Sequence, residues 1–184
     1  MLIKLPLVPA MTDLYDSEDI QANHKRSLRR LAKAIALSQG EFSLILVSCN
    51  YPQLQEQMAK LLREISSVEI QELVLHPSVK TLYTTIQKTI EDRQPQALMV
   101  FGLESVVDIN QVLTSTNLVR NQFRKQFAFP LVLWVSDEIL QKLTRMAPDF
   151  KNWATTAIRF ELPNNQSIEW TAITAWKRSI RQDD

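Results

Sequence analysis

The stretch Phe42-Ser-Leu-Ile-Leu-Val-Ser48 decides the fold, because it is an apolar run that passes through Cys49-Asn50-Tyr51-Pro52 into a helical pattern. From there, strand-like and helical patterns alternate, which is typical of parallel strands joined by right-handed crossovers. We therefore predict an α/β fold: a three-layer α/β/α sandwich with a five-stranded, mainly parallel sheet and an extra helix at each end. The predicted strands are 42–48, 68–75, 97–102, 131–136 and 157–162, and the predicted helical segments between them are 53–65, 78–92, 105–126 and 136–146.

Three of the predicted strands are continuous apolar runs rather than alternating ones. They are Leu44-Ile-Leu-Val47, Leu98-Met-Val-Phe101 and Leu131-Val-Leu-Trp-Val135. A strand that is covered by helices on both faces has this pattern. We therefore expect these three strands to form the centre of the sheet.

The two ends of the chain add a helix each. Residues 1–16 show no sustained period and are predicted to be an arm, and residues 17–39 form a basic helix that Ser17 caps and Gly40 ends in a left-handed conformation. A last helix is predicted over 167–181. We expect a single domain over 17–184, with its sheet core at 42–162.

Composition restricts the possible functions. A formal net charge of +1 predicts no strong global attraction to nucleic acid or to anionic lipid. The single cysteine excludes an internal disulfide, and His24 and His76 lack metal-ligand spacing, so we expect no metal. The opening residues 1–9 are too short to span a membrane and lack a signal-peptide pattern. A cytoplasmic protein without a membrane partner is the default.

The loop after the first strand lacks what a phosphate-binding loop needs. Such a loop uses glycines, so that backbone N–H groups converge on the anion, together with a Lys and a Ser or Thr. None of these lies between Ser48 and Gln55, and the whole chain has 2 glycines, where average usage would give roughly thirteen.

Several short motifs nevertheless stand in the order of a nucleotide-binding domain. They are Gly102-Leu-Glu104, Pro130-Leu-Val-Leu-Trp134 and Ala147-Pro-Asp-Phe-Lys-Asn-Trp153. In this order and spacing, residues 17–162 resemble catalytically degenerate P-loop NTPase domains of the STAND or AAA kind. Such domains occur near the start of bacterial, notably cyanobacterial, proteins with tetratricopeptide, WD-type or caspase-like modules.

The resemblance assigns positions of a degenerate nucleotide site. Cys49, Asn50 and Tyr51 stand where the Walker A loop would be, and Glu104 stands where a Walker B acid would be. Ser136 and Asp137 match a sensor position by location. The resemblance implies an intracellular, largely non-catalytic module of a signalling or conflict-response system, and we expect no cofactor.

The same residues also have local explanations. Cys49 is either a nucleophile or a small buried residue, and the second is favoured because Gln55 stands where a phosphatase loop needs Arg. Glu104 or Ser105 would cap a helix that follows the third core strand. Ser136 and Asp137 would serve equally well as the cap of the helix that begins there.

Basic residues on the first helix form the strongest local charge feature. They lie opposite an apolar stripe of Leu28, Leu31 and Ile35. A solvated face is the simplest interpretation, and an acidic protein surface is favoured over DNA as a partner because no aromatic residues are interleaved. The basic residues are Lys25, Arg26, Arg29, Arg30 and Lys33.

Aromatic residues concentrate in the last third of the chain. Trp134, Phe150 and Trp153 are predicted to pack in the core. Apolar residues make the predicted C-terminal helix apolar on more than one side, which suits docking onto a partner or a second copy. The residues of this association helix are Trp170, Ile173, Trp176 and Ile180.

Together these observations predict a non-enzymatic interaction or scaffold module that works through protein contacts of its terminal helices. The partner would be another protein or a second copy of the chain. An alternative is a nucleotide-responsive or weakly hydrolytic switch that uses Cys49 to Tyr51 and Glu104 in an unfamiliar way. Nucleic-acid binding by the basic helix is a third, less favoured hypothesis.

Overall fold

A computed structural model describes residues 11–91 and 93–162, with side chains from residue 19 onward. The helices are α1 (Met11–Leu37), α2 (Pro52–Ile65), α3 (Leu82–Ile90), α4 (Ile109–Leu118), α5 (Arg120–Gln126), α6 (Asp137–Met146) and α7 (Pro148–Lys151), with a 3₁₀ turn at Leu103–Ser105. The strands are β1 (Ser43–Cys49), β2 (Ile70–Val74), β3 (Ala97–Phe101), β4 (Pro130–Val135) and β5 (Ile158–Phe160).

The five strands form one sheet in the order β2-β3-β4-β1-β5, and every neighbouring pair is parallel. The prediction of an α/β sandwich around a five-stranded parallel sheet is confirmed. The three apolar runs are β1, β3 and β4, and they occupy the three inner positions as expected. All six residues of β4 are buried, because helices cover both faces of an inner strand.

Chain direction decides which helices share a face of the sheet. The chain crosses from β1 outward to β2, then returns through β3 and β4 and passes over β1 to β5. Right-handed crossovers therefore place α2 on one face, and α3 to α7 on the other. The main core of this second face includes Ile86 of α3, Leu143 of α6 and Leu133 of β4.

The first helix is longer than predicted. It begins at Met11, so Ser17 lies inside it and is not its cap, and residues 11–16 of the predicted arm are helical. No Pro or Gly follows Pro9 in this stretch, and its acidic residues suit the first half of a helix. The predicted left-handed conformation of Gly40 is confirmed, with φ of +81°.

Other boundaries moved for local reasons. The helix predicted from residue 78 begins at Leu82, because a turn comes first, in which the backbone N–H of Ser78 donates to His76 Nδ1 at 3.2 Å. The helical segment predicted over 105–126 is the 3₁₀ turn followed by α4 and α5, which are separated at Val119. The outermost strands β2 and β5 are shorter than predicted.

The chain divides into two compact units. The larger unit, Arg26–Phe160, contains the whole sheet. The other consists of residues 1–25 together with 161–184, and in its described part His24 Nε2 lies 2.8 Å from the backbone oxygen of Glu161. The single-domain assignment over 17–184 stays a prediction.

Candidate functional site

Polar residues follow the carboxyl ends of the inner strands, which lie side by side at one edge of the sheet. In open parallel sheets this carboxyl edge is where ligands bind. The strand order brings the loop after β1 next to the start of α6 after β4, with β3 beyond it. The edge therefore holds all six positions assigned by the resemblance: Cys49, Asn50, Tyr51, Glu104, Ser136 and Asp137.

Asp137 is the centre of the edge. Its Oδ1 accepts hydrogen bonds from Ser48 Oγ at 2.7 Å and from Arg159 Nη1 at 2.8 Å, and its Oδ2 accepts from Asn50 Nδ2 at 2.9 Å. The hydrogen bond from Asn50, then that from Ser48, and the bond and positive charge of Arg159 lower the pKa of Asp137 below its ordinary value. Asp137 therefore stays ionised, and three side chains hold it.

Asn50 binds Asp137 a second time through the backbone. Its side-chain oxygen accepts the backbone N–H of Asp137 at 2.8 Å, while its amide nitrogen donates to the carboxylate. The backbone N–H groups of the first turn of a helix have no partner inside the helix. Asn50 supplies such a partner for the N–H of Asp137 from the loop after β1. The pair therefore connects this loop to the first residue of α6.

Two further donors at the start of α6 are also occupied. Ser136 Oγ accepts from the backbone N–H of Ile139 at 3.3 Å, which confirms Ser136 as the cap of this helix. Glu104 Oε1 accepts from the backbone N–H of Ser136 at 2.6 Å. A helix start is a natural anion site, and here the protein's own oxygens fill it.

The prediction that Glu104 or Ser105 caps a helix of its own segment is wrong. Gly102 precedes the 3₁₀ turn, and Asp108 caps α4, with its Oδ1 accepting from the backbone N–H of Gln111 at 3.4 Å. Glu104 instead reaches the start of α6 after β4, because β3 and β4 are adjacent in the sheet. A contact of this kind depends on strand order rather than on local sequence.

Cys49 has the character of a buried thiol. Its side chain is 5% exposed, and its Sγ donates to the backbone oxygen of Tyr51 at 3.4 Å. Burial, opposed in part by that hydrogen bond and helped by the negative charge of Glu104, raises the pKa of Cys49 to about 11. The thiol is therefore protonated at neutral pH and is not an activated nucleophile.

The start of α2 occupies the place of a phosphate loop. Tyr51 precedes the helix without a side-chain capping bond, and Pro52 stands in its first turn, as its fixed φ allows. The backbone oxygen of Tyr51 accepts from the N–H of Gln55 at 2.9 Å. The first turn contains neither Lys nor Ser nor Thr, so it offers no side chain for a phosphate.

Gly102 has a packing role at this edge. Its φ is +86°, and a Cβ atom there would lie 3.2 Å from the backbone oxygen of Leu75, next to the end of β2. A glycine is therefore needed for close approach of two backbones rather than for contact with a phosphate.

The basic residues of α1 are all exposed, as the helical pattern predicts. Leu28, Leu31 and Ile35, on the opposite side of the helix, are at most 6% exposed. The structure therefore places the basic face in solvent. The exposed residues are Lys25, Arg26, Arg29, Arg30 and Lys33.

The aromatic predictions divide into two groups. Trp134 and Phe150 are fully buried, and Trp153 packs partly buried against Phe42 and Phe150, so their predicted core role is confirmed. The association helix predicted over 167–181 lies outside the described residues.

Sequence reasoning missed Ser48 and Arg159. Both side chains contact Asp137, although Ser48 is 89 residues and Arg159 is 22 residues away from it in the chain. A local signal existed for Arg159, a lone charge between Ile158 and Phe160 in a short strand. Its partner could be found only with the knowledge that β5 lies beside β1 and one strand away from β4.

Comparisons with known proteins place the chain in no family: no family model, curated protein or solved structure matches it. Within the described residues, no group of three or more His, Cys, Asp or Glu side chains could hold a metal ion. The helices of that same part of the chain include none with the length and apolar character needed to cross a membrane.

Proposed function

We propose that this chain is a non-catalytic protein-interaction or scaffold module, derived from a STAND-like P-loop NTPase and acting in a bacterial signalling or conflict-response system. The observation that carries the proposal is the closed carboxyl edge. The polar side chains of Asn50, Glu104 and Asp137 at this edge already bind other parts of the protein.

The strand order supports the ancestry. A single nucleotide can touch a Walker A loop, a Walker B acid and a sensor residue only if all three positions lie at one edge of the sheet. Cys49 to Tyr51, Glu104 and Ser136 meet this condition, because β1, β4 and β3 are consecutive in the sheet.

Electrostatics at the edge oppose phosphate binding. Two carboxylates, of Asp137 and Glu104, surround the start of α6, and the one cation bound to them among the described side chains, Arg159, forms an ion pair with Asp137 at 2.8 Å. Hydrogen bonds that involve a charged group contribute about 1.5–3 kcal/mol each. A phosphate would have to displace several of them and then sit beside like charges.

Nucleotide binding is the direct test. We expect no shift of the thermal midpoint and no heat of binding with Mg-ATP or Mg-GTP at millimolar concentration. A ligand present at one hundred times its Kd stabilises a protein by about 2.7 kcal/mol, so binding would be visible. A magnesium-dependent rise in the midpoint that Glu104→Gln abolishes would overturn the proposal and favour a nucleotide-responsive switch.

A further inference from the structure

The second half of α1 carries charge of one sign. Between Asp19 and Glu41 the chain contains no acidic residue, but it contains the five residues of the basic face. All five are exposed, while the apolar stripe on the other side of the helix is buried. Among the described side chains of α1, the one large apolar side chain that is exposed is that of Leu37, at the end of the helix.

This arrangement is unfavourable for the isolated helix. Side chains four residues apart are neighbours on a helix, and like charges at that spacing repel. Three such pairs occur here: Lys25–Arg29, Arg26–Arg30 and Arg29–Lys33. Among the described residues, no carboxylate forms a salt bridge with Arg29, Arg30 or Lys33.

Solvated helix faces elsewhere in the molecule are built differently. On α6, Lys142 Nζ pairs with Glu138 Oε1 at 2.7 Å, one turn away. On α2, Lys60 stands four residues from Glu56 and four from Glu64. On these two helices the cations stand beside carboxylates of the same helix, whereas Arg29, Arg30 and Lys33 have no such neighbour on α1.

We propose that the basic face of α1 docks an acidic helical segment of a partner protein. Its cations recur once per turn at 25 and 26, 29 and 30, and 33, which spans about 12 Å of helix at a rise of 1.5 Å per residue. Carboxylates at every fourth position of a second helix have the same spacing. Arg29 and Arg30 are central, and their forked guanidinium groups can bind a carboxylate through two hydrogen bonds.

Two other occupants fit the face less well. A membrane-surface helix inserts an apolar side into lipid, but Leu31 and Ile35 are fully buried in the protein. Nucleic-acid-binding domains generally have a pI above about 9, whereas this chain has a pI of about 7.8. Residues 20–40 also contain no Phe, Tyr or Trp on which a base could stack.

The length of the ligand also favours a short acidic segment over a long polyanion. A short acidic segment interacts with charges within a Debye length, about 8 Å at physiological ionic strength, and so meets only the basic face. A long polyanion would also meet the carboxylates that bring the chain to a net charge of +1. The inference rests on the proposed function, because an interaction module requires a partner, but it concerns a different surface.

The test uses the full chain and two synthetic probes. One is an alanine-based helical peptide of about 20 residues, long enough to be helical alone, with glutamate at every fourth position. The other has the same composition, with its glutamates distributed around the helix. We expect the first peptide to bind more tightly than the second, and we expect added salt to weaken its binding.

Variants locate the binding surface. The double variant Arg29→Glu/Arg30→Glu should weaken binding of the striped peptide by at least about tenfold, since each lost ion pair is replaced by a repulsion. Lys60→Glu makes the same charge change as the single variant Arg29→Glu, but on an exposed position of α2, and should leave binding unchanged. Circular dichroism of both variants, with the single variant Arg29→Glu as a milder form, shows whether folding is intact.

Several outcomes overturn the inference. They are an absence of peptide binding, equal binding of the two peptides, and equal loss in Lys60→Glu. Tighter binding of a duplex DNA of similar length would assign the face to nucleic acid. A dimer in analytical ultracentrifugation that Arg29→Glu/Arg30→Glu dissociates would assign it to a second copy. Nucleotide binding at the sheet edge would overturn the proposed function alone.

Discussion

The carboxyl edge of the sheet and the basic face of α1 are both rich in polar residues, but their charges are arranged in opposite ways. At the edge, one carboxylate, Asp137, binds three side chains from β1, β5 and the loop after β1. On α1, cations stand beside cations and no described carboxylate pairs with Arg29, Arg30 or Lys33. A ligand at the edge must break existing bonds, whereas a ligand on α1 relieves a repulsion.

The largest expected effect follows from opening the edge with Asp137→Ala. This change leaves Arg159, Asn50 and the buried hydroxyl of Ser48 without their shared acceptor. Bonds to a charged group contribute about 1.5–3 kcal/mol each, but water compensates part of the loss because the Asp137 side chain is 42% exposed. We expect the free energy of unfolding, measured in urea, to fall by about 2–3 kcal/mol.

The neighbouring residue provides the control. Glu138 lies in the same first turn of α6, is exposed, and pairs with Lys142 one turn further along the helix. Glu138→Ala should therefore change the urea midpoint little. Similar losses in the two variants would mean that the edge is not held by Asp137, and the contrast with α1 would be lost.

The second prediction concerns the pH dependence of the free energy of unfolding. Protonation of Asp137 cannot cost more stability than its removal in Asp137→Ala. Because the pKa of Asp137 is lower in the folded protein than its ordinary value of 3.8, the unfolded chain takes up the proton first as the pH falls. The contribution of Asp137 is complete above about pH 5 and is lost as the pH falls through the folded pKa.

The comparison of the native protein with Asp137→Asn isolates this effect, since asparagine does not titrate. The difference between their free energies of unfolding should be constant from about pH 5 to 8 and shrink below that range. A difference that is constant down to pH 3 would show that the charge of Asp137 does not stabilise the edge.

The two glycines allow a third, smaller test of how tightly the edge is packed. Both have positive φ, but a Cβ at Gly40 meets nothing within 4 Å, whereas one at Gly102 meets the Leu75 oxygen at 3.2 Å. Gly40→Ala should cost about 1 kcal/mol from backbone strain alone, and Gly102→Ala about 2 kcal/mol because the close contact adds to the strain. Equal costs in thermal unfolding would contradict the close packing inferred for the edge.

The central part of the fold is readable from the sequence because its signals are local. The run Leu131-Val-Leu-Trp-Val135 has no polar residue, and such a strand is stable only when both faces are covered. Ser136 directly before a helical pattern predicts the cap of α6, and the structure has that capping bond. In each case the residues that carry the signal are within one element.

The closed edge could not be read in this way. The sequence offered Asp137 as a cap or a sensor residue, but its partners Ser48 and Arg159 become visible only when β1 is placed between β4 and β5. Glu104 shows the same limit, since its carboxylate caps no helix of its own segment and binds the start of α6. Long-range hydrogen bonds depend on strand order, which local patterns do not specify.

The smallest expected effect has the most unusual sign. On α1, Arg29→Glu replaces two repulsive neighbours, with Lys25 and Lys33, by two attractive ones, and each pair changes the helix by about 0.2–0.5 kcal/mol in either sense. Exposed pairs contribute at the low end of this range, so the variant should be more stable than the native protein by about 0.8 kcal/mol. Lys60→Glu makes the reverse exchange on α2, between Glu56 and Glu64, and should be less stable by a similar amount. Thermal unfolding at low salt measures both, and high salt should reduce both shifts because the side chains are exposed. If Arg29→Glu destabilises the protein, the native positive charges of α1 already have compensating partners, and the argument that this face binds an acidic ligand fails. If Arg29→Glu stabilises the protein and weakens binding of the striped peptide, the native charges at this face reduce stability but are needed for binding.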